Sequence, residues 1–116
     1  MRLTRVWADA EGVSHFGELD VPLHDGGEIG RLSEVMGATG VIFRETDEHY
    51  DFDWHPAPRR QLILLMDGAI EIQTGDGEVR QFRGGEILLV EDTEGRGHRT
   101  RAISPGVRRS VFVALA

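Results

Sequence analysis

Cysteine is absent from the 116 residues. That excludes disulfide bridges, thiolate-bound zinc, iron–sulfur clusters and cysteine nucleophiles. Lysine is absent too: all 13 basic residues are arginine, set against 20 acidic ones, for a net charge of −7. An acidic chain repels phosphate backbones, so the attraction that drives nucleic-acid binding is missing, and anionic membrane surfaces are disfavoured for the same reason. Net charge does not describe a local site, however, and an arginine pocket for a small anion stays open. No apolar run approaches the ~20 residues of a membrane span. The opening Met1-Arg2-Leu3-Thr4-Arg5 is not followed by the apolar stretch of a secretory leader, and the expected location is cytoplasmic. There is no Gly-x-Ser-x-Gly elbow, phosphate loop or dinucleotide fingerprint. Ser14 beside His15 does not replace them, because adjacent strand residues point to opposite faces.

Glycine is plentiful at 15 residues, and short apolar runs lie between the glycines. No segment keeps a helical period over about ten residues. Gln61–Met66 reads as a strand covered on both faces, and Asp67-Gly68 as a hairpin turn that needs positive φ. Ala69–Thr74 alternates as a strand, Gly75-Asp76-Gly77 turns, and Glu78–Phe82 returns. Gly84-Gly85 leads into Glu86–Val90. His98–Ile103 follows, then a turn at Ser104-Pro105-Gly106 and a closing strand, Arg109–Leu115. Thr4–Trp7, His15–Val21 and Val41–Glu45 are the strands expected earlier in the chain. Gly30–Met36 fits one helical turn or another strand. Strand after strand at this spacing predicts an all-β sandwich or barrel. With no linker, repeat or low-complexity tract, residues 1–116 read as one domain, long enough to bury a core.

The segment from His55 to Arg101 resembles the cupin family. Its first motif, G-x5-H-x-H-x3,4-E-x6-G, is met by His55, then Gln61 in the glutamate's place, then six residues and Gly68. Ala57 stands for the second histidine and His49 for the opening glycine. The second motif, G-x5-P-x-G-x2-H-x3-N, is met by Gly85, the glycine-rich approach Gly95-Arg96-Gly97, and His98; two extra residues intervene, and the proline and asparagine are missing. The resemblance implies an antiparallel jelly-roll β-barrel, with a divalent transition metal (Fe, Mn, Zn, Ni or Cu) in its mouth, or none. It implies His55, Gln61 and His98 as the ligands. Family members include dioxygenases, isomerases and decarboxylases acting on small polar molecules, and they often pair as homodimers through edge strands, for which this chain's N-terminal strands are the expected candidates.

Strand parity bears on the same residues. His55, Ala57, Arg59, Gln61, Ile63 and Leu65 share one parity, and His98, Thr100 and Ala102 another. If both sets face inward, His55, Gln61 and His98 converge, with Arg59, Ile63, Leu65 and Thr100 lining a pocket. Two imidazoles and an amide oxygen can hold a transition metal, weakly, because glutamine brings no charge. The leading expectation is therefore a weakly held metal acting on a small polar substrate; the alternative is a metal-free site in which Arg59 and the histidines orient a small-molecule ligand. Asp51, Asp53 and His55 alternate with Tyr50, Phe52 and Trp54, so Asp53 is a further pocket candidate able to replace the lost ligand. Glu91, Asp92 and Glu94 are expected in a solvated turn at the rim, with Glu91 or Asp92 able to brace the loop. His15, His24 and His49 are expected to be surface residues or local hydrogen-bonding partners.

Overall fold

The alternating run Ala69–Gln73 forms a strand because its isoleucines fill one face while Glu71 and Gln73 stay at the other. The same logic repeats along the chain, and the computed structural model, which describes residues 1–116, is built almost wholly of short strands. Six form one sheet, in the spatial order β2 (Ser14–Asp20), β1 (Arg2–Ala8), β10 (Ile87–Val90), β7 (Gln61–Leu65), β12 (Arg108–Leu115) and β5 (Ala38–Thr46). Four form a second sheet: β6 (Asp51–His55), β11 (His98–Ala102), β8 (Ala69–Gln73) and β9 (Val79–Arg83). A two-residue pairing of β3 (His24–Asp25) with β4 (Arg31–Leu32) hangs between β2 and β5, around one 3-10 turn at Gly27–Ile29. No helix is long and apolar enough to cross a membrane.

The chain crosses from one sheet to the other between β5 and β6, β6 and β7, β7 and β8, β9 and β10, β10 and β11, and β11 and β12. This is jelly-roll winding. Pairing is antiparallel except for β1, which lies parallel to β10. The core sits between the sheets: Val6, Phe16, Leu65, Leu88 and Val90 from the larger, Ile70, Ile72 and Phe82 from the smaller. Phe16 and Phe82 meet across the gap with ring centroids 5.9 Å apart. Each such side chain, fully buried, contributes roughly 1.5–3 kcal/mol.

Two local features depart from the sequence reading. Asp67-Gly68 does not close a hairpin: β7 pairs with β10 and β12, whereas β8 pairs with β9 and β11, so the turn is a corner between sheets. Gly68 still takes positive φ (67°), and a Cβ there would press on Arg108. The alternation from Asp51 to His55 is broken by a β-bulge. His55 is opposite His98 and Phe52 opposite Thr100, so Asp53 and Trp54 face Arg99 alone. Of the stretch Gly30–Met36, only Arg31–Leu32 is strand.

Candidate functional site

A cavity of about 400 Å³ opens between the sheets, lined by 20 residues of which half are hydrophobic. Strand parity puts Gln61, Ile63 and Leu65 of β7 and His98 and Thr100 of β11 on its wall, together with Arg59 from the preceding loop. His55 and Phe52 reach it together because the bulge shifts the phase of β6. Asp53, expected to line the pocket, does not: its side chain is 85% exposed and lies 3.5 Å from Arg99 on the outer face. The bulge is the physical reason, since without it Asp53 and His55 would share a side.

The imidazoles of His55 and His98 lie together, with ring centroids 4.6 Å apart. His98 is buried, and its Nδ1 is 2.6 Å from Oδ2 of Asp92. Asp92 is wholly buried, which corrects the solvated placement expected for it, and its Oδ1 has no partner. The signal for this was the parity Leu88–Val90–Asp92, which carries the inward face of β10 past the strand's end. His55 is half-buried, and its Nδ1 donates to the carbonyl of Asp53 at 2.7 Å. Phe52 packs edge-on against it, centroids 4.1 Å apart. Burial holds the His55 pKa below the usual imidazole value, and the charges of His98 and Arg44 push the same way. Each ring thus has its Nδ1 engaged, and its Nε2 is left for the cavity.

Gly97 fixes this arrangement. It has positive φ (78°), and a Cβ there would collide with the carbonyl of His55. The loop is tied down by the buried hydroxyl of Ser14, which donates to the Gly97 carbonyl and accepts from Gly75 N–H, both at 2.7 Å.

Two arginine doublets are split across the wall. Arg60 points outward to Glu91 (Nε–Oε2 2.9 Å), which Arg5 also pairs, while its neighbour Arg59 faces the cavity. Burial works to raise the Glu91 pKa, but the two guanidiniums prevail and hold it low. Arg109 is held outside by Asp67, whose carboxylate takes its backbone N–H at 2.6 Å and its Nε at 2.7 Å. Arg108 is therefore turned inward, where it is buried. Arg44 of β5 joins it, and both guanidiniums lie over the ring of Tyr50, at 5.1 and 5.2 Å. The sequence reading missed Arg44, Arg108 and Tyr50 as pocket residues.

A divalent metal finds a partial donor set here. The two Nε2 atoms are suitable, but no cluster of three or more histidine and acidic side chains gathers anywhere in the chain. The amide oxygen of Gln61 already lies 3.4 Å from a guanidinium nitrogen of Arg59. Three arginines and no carboxylate line the cavity. The set brings no negative charge to compensate a dication, so the fit is poor.

No protein-family model matches the chain, and no curated protein matches it. Several solved structures do. A candidate ethanolamine utilization protein Q from Salmonella typhimurium LT2 superposes with a TM-score of 0.51 and 15% identity, covering 99% of this chain and 95% of its own. The conserved protein SPY1581 of unknown function from Streptococcus pyogenes gives 0.52 and 18%, over 72% and 68% of the two chains. Protein NMB1881 from Neisseria meningitidis gives 0.50 and 23%, over 72% and 81%. The fold is an all-β jelly roll, of the kind that the cupin resemblance implies. At these identities the likeness speaks for the fold alone, and what the cupin cavity does in this chain rests on its own residues.

Proposed function

We propose that this chain is a small-molecule-binding cupin that receives one polar organic compound in its cavity, with the Nε2 atoms of His55 and His98 as the groups that meet it. The observation that carries this is the imidazole pair facing a cavity of about 400 Å³ in an otherwise largely apolar wall. His55, kept neutral by burial, presents a lone pair and can accept a proton. His98, held at Nδ1 by the buried Asp92 carboxylate, presents its Nε2 at a fixed place beside it. Acid–base chemistry on a bound substrate follows if the compound places an acidic C–H or O–H between them.

The second reading is weak binding of a divalent transition metal, which His55, His98 and Gln61 would hold and which would supply a Lewis acid there. It is favoured by one feature, the engagement of both Nδ1 atoms, which is how ligating imidazoles are usually braced.

The deciding experiment is 15N NMR of histidine-labelled protein, read at Nε2. Sugars, carboxylic acids, alcohols and amides are added in turn, then Zn2+ and Mn2+. Joint movement of both Nε2 signals with one compound class, accompanied by thermal stabilisation, supports the first reading. Stoichiometric metal uptake that His55→Ala and His98→Ala each abolish transfers the site to the second. Signals indifferent to every addition overturn both.

A further inference from the structure

At the far end of β6 from His55, the cavity carries positive charge that nothing in the chain neutralises. Arg108 is only 6% exposed, and its Nε has no hydrogen-bond partner. Directly across the ladder, Thr46 Oγ1 is likewise buried and unpartnered. Neither Arg44 nor Arg108 takes part in an ion pair, although Arg60 and Arg109, facing outward, each have a carboxylate. No aspartate or glutamate lines the cavity. Buried charges are ordinarily paired, since removing an ion from water is costly without a counter-charge. Their guanidiniums lie over aromatic rings instead: Arg44 over Tyr50 and Phe112, at 5.2 and 5.1 Å, and Arg108 over Tyr50 at 5.1 Å. A ring carries no anionic charge, so these contacts leave both guanidiniums without a counter-ion.

We propose that Arg44 and Arg108 form an oxyanion subsite, and that the molecule held in the cavity is an organic anion bearing a carboxylate or phosphate group on an apolar body. The inference rests on the small-molecule reading above and gives its substrate class. The oxyanion supplies the missing counter-charge and accepts the in-plane N–H bonds of the two arginines. The Thr46 hydroxyl lies at the same end of the ladder, and Arg59 adds a third positive charge at the mouth. The apolar body rests on Ile42, Phe52, Ile63 and Leu65, which puts its far end toward the imidazoles. Burial and the neighbouring charge of Arg44 both lower the Arg108 pKa, a cost that a bound oxyanion offsets.

The test uses three probes with one aromatic body: benzoate, phenyl phosphate and the neutral benzyl alcohol, titrated by calorimetry at low salt. The expectation is that at least one anion binds roughly ten- to a hundredfold more tightly than the alcohol, and that added salt weakens it. Whichever of benzoate and phenyl phosphate is preferred assigns the group. Arg44→Gln, at a half-buried position that tolerates a neutral side chain, brings the anion down to the level of the alcohol. Unliganded Arg108→Met is expected to melt at or above the wild-type temperature, because an unpaired buried charge is replaced by an apolar chain of similar length. Equal binding of all three probes, failure of both anions to bind at millimolar concentration, or an anion preference that survives Arg44→Gln overturns the proposal. A folded Arg108→Met that melts lower overturns it for that residue, giving the arginine a packing role against Tyr50. Arginine-dependent anion binding that leaves the imidazole Nε2 signals unmoved sustains the subsite and refutes the histidine centre; imidazole signals that respond alike to alcohol and anions do the reverse.

Discussion

His15 and His55 are pushed in opposite directions by their neighbours. His15 lies between two carboxylates, with Nε2 at 2.7 Å from Asp9 and Nδ1 at 3.0 Å from Asp76, and the Asp9 bond above all raises its pKa. His55 is depressed by burial. A proton NMR titration is expected to find His15 changing above the ordinary value of about 6.5 and His55 below it. The consequences for stability have opposite signs. The His15 contribution is complete below about pH 6.5 and fades as pH rises through its raised folded value. The contribution of neutral His55 is complete above that point and is lost as pH falls toward its depressed value, since the unfolded chain then binds a proton the folded chain refuses. Melting curves of His55→Ala are therefore expected to lose part of the wild-type decline between neutral and mildly acid pH. His98 is different in kind. Replacing it by alanine strands the wholly buried Asp92 carboxylate, whose other oxygen is already unpartnered. We expect His98→Ala to lose about 3 kcal/mol in urea unfolding, against about 1 kcal/mol for His55→Ala, whose Nδ1 meets only a backbone carbonyl.

Elements rather than residues decided which parts of this site were readable in advance. β7 and β11 obey strict alternation, so Gln61, Ile63, Leu65, His98 and Thr100 could be placed on one cavity from parity alone. β6 does not, because its bulge inserts one residue against Arg99 and sends Asp53 out while keeping His55 in. An inserted residue of this kind leaves no mark in a polar-apolar pattern that alternates on both sides of it. Parity placed Arg59 among the pocket residues, but it gave no sign that Arg108 is the inward member of Arg108-Arg109. That depends on Asp67, which holds Arg109 outside and is distant in sequence. Asp67-Gly68 has the chemistry of a tight turn, and it makes one, but whether such a turn joins neighbours in a sheet or bridges two sheets is settled by packing. The loop before β11 carries the most demanding local geometry. Gly97→Ala is expected to destabilise the protein by about 2 kcal/mol or more, through positive φ and the clash with the His55 carbonyl. It should also shift the NMR signals of both His55 and His98, which a change of stability alone would not do.

On the scale of the whole molecule, the two edges of the six-stranded sheet are unlike. One is β2, which begins with Ser14 and Phe16 buried and ends with Glu18 and Asp20 exposed. The other is β5, whose outer rim pairs with nothing and whose first six residues are all exposed, Phe43 to 81% and Val41 to 54%. The preceding segment adds Val35 and Met36, 99% and 45% exposed. An open, apolar edge is a template for further pairing. The homodimer that the cupin resemblance implies would be accounted for if a second copy added its own β5 antiparallel to this one across a two-fold axis, each chain covering the other's Phe43. Such pairing would also reach the cavity, because Ile42 and Arg44, on the inward side of the same strand, line it. We therefore expect light scattering to give twice the chain mass at micromolar concentration. Phe43→Asp, which puts like charges face to face at the centre of that pairing, should halve it. If the dissociated variant also binds the preferred anion less tightly, although Phe43 points away from the cavity, then the strand that carries Arg44 is held in place by the partner. A dimer indifferent to Phe43→Asp would place the contact elsewhere and leave β5 a free edge.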